Sequence, residues 1–288
     1  MLLLLVLAID VLNRCIFEEM TYSRSRFFTL SGDTMKRLFL SLIFFCFATS
    51  LIAADLRYIG SSTVGKFIKD ASSVYKGGSL AMDTVPESSG GEKCALGGQC
   101  EIGGVARSVG KKYLDKGATA TLIGKDAIAA VVNAKNKVSG LSSKQLTGIF
   151  TGKIKNWKDV GGADLPIKVY IVKKGSATRK VFRAKGMNGA KYHGVKVITP
   201  DAKILTKVGR EKGAIGQISF AFLAGNKKIK ALSVDHQKAS LSNPSYPITR
   251  PLYLVTKGAP TGAAKGFIDW TLSSAGQKVV KNRFVGVK

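Results

Sequence analysis

The chain has 288 residues and carries 45 Lys and Arg against 18 Asp and Glu, a formal net charge of +27 at pH 7. Such charge attracts anions, and on charge alone a small oxyanion, nucleic acid and an anionic membrane surface all stay open. A metal site is excluded on ligand supply: the two histidines, His193 and His236, stand at no ligand spacing from the cysteines.

In chain order, Met35-Lys36-Arg37 is a short basic start. An apolar run over residues 38–54 follows, broken only by Ser41, Thr49 and Ser50 and closing on Ala53-Ala54. This reads as a signal peptide over 35–54, with 1–34 an upstream extension or misassigned start. An uncleaved anchor is the alternative, though the run is short against the ~20 residues of a comfortable span. Cys46 follows Phe44-Phe45 rather than small residues, so it belongs to the apolar run and not to a lipid-attachment site. No later apolar run is long enough for a span.

From residue 55 onward, short β-branched runs alternate with amphipathic stretches, the pattern of an α/β fold. Residues 56–59 are a predicted strand, Gly60-Ser61-Ser62-Thr63 a turn, and Val64, Phe67, Ile68, Ala71 and Tyr75 one helical face. A second strand covers 81–85. Glu87-Ser88-Ser89-Gly90-Gly91 follows as a turn, with a helix from about Glu92. Strands are further predicted at 101–106, 127–133, 167–172, 214–219 and 252–256. Ser142 and Gln145 form a capping box that opens a helix with Leu146, Ile149 and Phe150 inward. Gly175-Ser176-Ala177-Thr178-Arg179 leads into a helix from about Lys180. Pro260 and Gly262 precede a final helix with Ala264, Phe267, Ile268 and Leu272 on one face. Cys94 and Cys100 are an even pair beyond the leader, and a disulfide between them is expected in an oxidising compartment.

The unit of strand, Gly/Ser/Thr turn and helix recurs at Gly60, Ser88 and Gly175. Each turn offers backbone N–H groups and hydroxyls at the positive end of a helix, which suits an anion. Any one alone is an ordinary capped helix. Several converging would hold a small tetrahedral oxyanion without a metal, and Arg107 and Arg179 adjoin them as forked donors. No turn ends in the Gly-Lys-Ser/Thr of a nucleotide-binding loop. Gly-x-Ser-x-Gly is absent, so no residue is put forward as catalytic and the chain reads as a binding protein, not an enzyme.

These residues, in their order, resemble the phosphate-binding components of bacterial phosphate ABC importers, within the periplasmic binding-protein fold. Gly60-Ser61-Ser62-Thr63-Val64 is similar to the family's first anion loop, and Glu101-Ile102-Gly103-Gly104-Val105-Ala106-Arg107-Ser108 to its D-I-G-x-x-S-R segment. Ile149-Phe150-Thr151-Gly152-Lys153, with Asn156-Trp157, is similar to I-F-x-G-K-I-x-N-W. Gly175-Ser176-Ala177-Thr178-Arg179 is similar to G-S-G-T-R, and Gly213-Ala214-Ile215-Gly216 and Arg250-Pro251-Leu252-Tyr253 match further along.

The resemblance implies a type II fold of two lobes, each a mixed sheet flanked by helices, joined by two crossing hinge strands. The first lobe would take 55–127 and 251–288 and the second 128–250. It implies inorganic phosphate held by Ser61, Ser62, Thr63, Ser89, Arg107, Ser176, Ala177, Thr178 and Arg179, with no cofactor. It further implies a periplasmic monomer with an ABC permease as partner and no nucleic acid. Three departures stand out. Ala177 replaces a glycine, Ser88-Ser89-Gly90-Gly91 is a shortened loop, and the segment that holds Arg107 lacks an aspartate that some relatives carry there to accept the phosphate proton. Glu87 is the nearest candidate for that acceptor. Another oxyanion such as sulfate or molybdate, or a basic secreted protein that binds polyanions, is the alternative reading.

Overall fold

The structure is a computed structural model that describes residues 55–288; the leader readings at 1–34 and 35–54 lie outside the described residues. Among the described residues no helix is long and apolar enough to cross a membrane.

The chain opens with β1 (Leu56–Gly60), α1 (Ser62–Ala71), β2 (Leu80–Asp83), α2 (Glu87–Gly97), β3 (Ile102–Val105) and α3 (Lys111–Leu114). Strand β4 (Ala118–Asn133) leads into β5 (Gly140–Leu141), α4 (Ser143–Phe150), β6 (Lys168–Val172), α5 (Ala177–Val181), β7 (Lys196–Ile198) and α6 (Lys203–Arg210). Then come β8 (Ala214–Ser219), β9 (Ile229–Ala231), β10 (Ser233–Val234), β11 (Thr249–Lys257), α7 (Gly262–Leu272), α8 (Ser274–Lys281) and β12 (Val285–Gly286).

The main sheet runs β2-β1-β3-β11-β4-β8-β6-β7. Strand β4 belongs to both halves. It pairs antiparallel with β11 as far as Ala127 and with β8 from Ile128 onward. The return crossing runs beside it: Ile128 N–H donates to Ile248 O at 2.8 Å, and Thr249 is already paired with Ala127. Each half buries its own core. Tyr58, Phe67, Ile102, Leu254 and Phe267 pack in the first lobe, and Ile128, Phe150, Trp157, Phe182 and Ile215 in the second. Apolar burial on both sides of a narrow crossing gives two lobes and a cleft between them.

Several elements differ from the sequence expectation. Helix α2 starts at Glu87, not near Glu92. The small residues read as a turn instead let the helix lie close on the sheet: a Cβ on Gly91 would come 2.6 Å from Gly104 O and 3.0 Å from Ile59 O. Helix α5 likewise starts at Ala177, ahead of the expected Lys180. The capping box at Ser142 and Gln145 is present in full. Helix α8, with Ser273 as its N-cap, follows directly on α7 where one final helix was expected.

Cys94 on α2 and Cys100 beyond its end are joined in a disulfide, with Cα atoms 5.6 Å apart. Closing a loop this short constrains the unfolded chain modestly. Replacing both cysteines with alanine is expected to cost ~2 kcal/mol in urea denaturation while the far-ultraviolet circular dichroism spectrum stays unchanged. A loss below ~0.5 kcal/mol would show that the bond adds nothing beyond helix packing.

Candidate functional site

The first anion loop is built before any ligand is considered. Gly60 turns the chain out of β1 with φ +146°, a conformation that side chains resist. Ser61 N–H donates to Gly104 O at 2.9 Å, and Tyr58 Oη–H donates to Ser61 O at 2.7 Å. The Ser61 hydroxyl is the α1 N-cap, accepting from Thr63 N–H at 3.2 Å and Val64 N–H at 3.4 Å. The cap uses only the acceptor side of the Ser61 hydroxyl and orients the next two residues. The Ser62 hydroxyl is sealed from solvent without a hydrogen-bond partner among the described residues. Thr63 Oγ1 accepts from Arg250 Nη2 at 2.9 Å.

The second lobe answers with α5. Thr178 Oγ1 accepts from Arg250 Nη1 at 3.1 Å, and Ser176 Oγ donates to Asp201 Oδ2 at 2.9 Å. One guanidinium therefore touches a hydroxyl from each lobe. Arg250 is 2% exposed, and its Nε donates to Asp126 Oδ2 at 2.9 Å. The register explains the pairing, because Arg250 on β11 lies directly opposite Asp126 on β4. Burial pushes the Asp126 carboxyl up, and the Arg250 charge pulls it back down.

Two further carboxyls face this point. Glu87 is 3% exposed and Asp201 is 2% exposed. Burial, and then the neighbouring Asp201 charge, push Glu87 up to about 7. Burial also raises Asp201, against the Ser176 hydrogen bond and the Arg250 charge. Glu87 Oε2 accepts from Ser62 N–H at 3.3 Å. Its backbone has φ 57°, a left-handed conformation uncommon for glutamate, which the surrounding contacts must hold.

The expected site residues thus fall into three groups. Ser61, Ser62, Thr63, Glu87, Ser176, Ala177 and Thr178 gather around Arg250 and Asp201, with Ala177 buried at the start of α5. Ser89 and Arg107 form a second group at the seam. Arg107 Nη2 donates to Ser89 Oγ at 3.4 Å, and Ser89 N–H and Oγ–H both donate to Gly175 O across the cleft, at 3.4 and 3.3 Å. The Arg107 charge is already engaged: its two Nη atoms grip both Glu92 oxygens at 2.6 and 2.7 Å. Arg179 stands in the third group, donating to Val172 O at 3.3 Å and lying over the Tyr192 ring at 5.3 Å from its centroid.

Sequence reasoning passed over Arg250, Asp126, Asp201 and Glu92. The signal for the first two was a charge inside an apolar strand run, Asp126 before Ala127-Ile128 and Arg250 before Pro251-Leu252. Such charges need a partner. Asp201 sits between the short strand β7 and α6, where no pattern marks it. Among the described residues no group of three or more His, Cys, Asp or Glu could hold a metal ion.

Taken together, the cleft presents hydroxyls, one neutralised guanidinium and two carboxyls, one of which changes protonation near neutrality. Hydroxyls and backbone N–H groups can donate to an oxyanion, and the carboxyls can accept from one that still carries protons.

A profile for the PBP superfamily domain matches residues 48–275. The phosphate-binding protein PstS of Bacillus subtilis is 37% identical over 158 residues, covering 53% of this chain and 52% of that protein. The match thus spans about half the length of that relative. The phosphate-binding protein PstS of Borreliella burgdorferi is 26% identical over 199 residues, covering 64% of this chain and 71% of that protein. Among solved structures, a Clostridium perfringens protein assigned to a phosphate ABC transporter as its substrate-binding protein, with phosphate bound, superposes with a TM-score of 0.76. It is 31% identical, covering 82% of this chain and all of that one.

Proposed function

Since the chain belongs to the PBP superfamily, we propose that it captures inorganic phosphate between its lobes and presents it to the membrane permease of an ABC importer. The observation that carries this reading is the convergence on Arg250 of Thr63 from one lobe and Thr178 from the other. The relatives named for phosphate binding support it. In this reading Ser62, Thr63, the backbone of Ala177 and Thr178 donate to the phosphate oxygens, while the Ser176 hydroxyl, which donates to Asp201, holds that acceptor in place. Ser61 and Arg250 position those donors. Ser89, Arg107 and Arg179 fix the seam and rim, while Glu87 and Asp201 accept phosphate protons. The protein acts as a periplasmic monomer, with 55–127 and 251–288 as one lobe and 128–250 as the other. Lobe closure over the anion is the signal the permease reads.

Calorimetric titration of the protein, stripped of anion by unfolding and refolding, tests this. One phosphate is expected per chain, with a Kd of a micromolar or tighter, about 8 kcal/mol or more. Sulfate is expected to give no heat at pH 8. Silence with phosphate and heat with sulfate or molybdate would assign the cleft to that oxyanion instead.

A further inference from the structure

Outside the cleft, the second lobe carries a cavity of ≈ 570 Å³ lined by Lys174, Arg179, Lys180, Arg183, Lys191 and Tyr192. That volume lies within the range of about 300–1,000 Å³ typical of sites for organic or multi-unit ligands, far more than one orthophosphate fills. Among the described residues no carboxylate lines it, and none of its five cations is in an ion pair. Arg179 and Arg183 donate only to backbone carbonyls, Val172 O at 3.3 Å and Gly189 O at 2.9 Å. Most of the N–H donors on each fork are therefore unspent. The wall that carries Arg183 is a π-helical turn, Phe182–Gly186, a departure from regular helix that clusters at functional sites.

Five like charges without a counter-charge repel one another. A single small anion relieves little of that repulsion. A linear anion with a charge on every unit relieves much more, and its repeated oxygens suit the arginine forks. We propose that this cavity binds condensed phosphate, a chain of anhydride-linked phosphate units, as a site separate from the cleft. It lies beside the cleft, because Ser176 lines the cavity edge while its hydroxyl binds Asp201 inside. No bond is made or broken in this proposal; the site holds the polyanion next to the place where single phosphates enter.

The test is titration of tripolyphosphate into the protein held in saturating orthophosphate, so that the cleft is occupied. A second binding event is expected. The double variant Arg183→Ala/Lys191→Ala, at two exposed positions, is expected to weaken it by at least about tenfold, or ~1.4 kcal/mol. Orthophosphate affinity should stay within about twofold, which also shows that the variant is folded. Lys116→Ala/Lys278→Ala removes the same charge from exposed positions on the first lobe and should leave tripolyphosphate binding unchanged. Three outcomes would overturn the proposal. They are no heat from tripolyphosphate, displacement of orthophosphate by it, or equal weakening by both double variants, which would mean attraction to net charge alone.

Discussion

Arg250→Ala is expected to lower stability by about 3–5 kcal/mol and to remove detectable phosphate binding. The substitution leaves Asp126 buried without its counter-charge, the costly way to break a buried ion pair. For a folded unit of this size the melting temperature should fall by roughly 10 °C. It also releases Thr63 and Thr178, whose hydroxyls the guanidinium orients from opposite lobes. The two effects separate in a second variant. Arg250→Met with Asp126→Leu removes both charges, so much of the stability should return while phosphate binding stays lost. Recovery of binding in that double variant would show that the guanidinium plays no part in holding the anion. A loss of under 1 kcal/mol in the single variant would show that Asp126 is not dependent on it.

Glu87→Gln with Asp201→Asn is expected to weaken phosphate by about 100- to 10,000-fold and to let sulfate in. Phosphate keeps at least one proton near neutrality and can donate it to a carboxylate; sulfate has none to donate. Losing hydrogen bonds to charged acceptors costs about 1.5–3 kcal/mol each. The new amides donate instead, which suits sulfate, so the discrimination that the carboxylates impose by repulsion disappears. Two acceptors facing one anion also favour its doubly protonated form. A carboxylate accepts only when ionised, so wild-type affinity for total phosphate should peak near neutrality: below the Glu87 transition at about 7 that acceptor is lost, and above it free phosphate sheds its second proton and affinity falls by up to about tenfold per pH unit. A flat profile from pH 6 to 8 would remove Glu87 and Asp201 from the site.

The same carboxyl sets a stability trend in the ligand-free protein. Folding raises the Glu87 pKa from 4.5 to about 7, so the folded state holds the proton that the unfolded chain has released. Its contribution is full below about pH 4.5 and is lost as pH rises to about 7, on the order of 3 kcal/mol. Glu87→Gln should flatten this part of a urea-denaturation series.

Much of the scaffold was legible because its elements are locally consistent. Residues 214–219 read as a strand and are one. The capping box at Ser142 needs only its own side chains. The anion loops at Gly60 and Gly175 announce themselves by residue type, since few other residues suit a turn that opens a helix. The first half of β4 was not legible. Its residues, Ala118-Thr119-Ala120-Thr121, have no apolar run, and they are extended because β11 pairs with them along its whole length.

What the residues determined by themselves is the class of chemistry: an α/β chain whose helix starts carry small residues and hydroxyls, suited to an oxyanion. Those features are set within a few neighbouring residues, through φ preferences, caps and hydrophobic period. What only the tertiary structure decided is how the charges are used. Glu92 takes up Arg107, the β4–β11 register sets Asp126 against Arg250, and burial together with Asp201 makes Glu87 titrate near neutrality. Each of these depends on desolvation and on partners far apart in sequence, and a charged residue carries no local mark of the partner it will meet once water is gone.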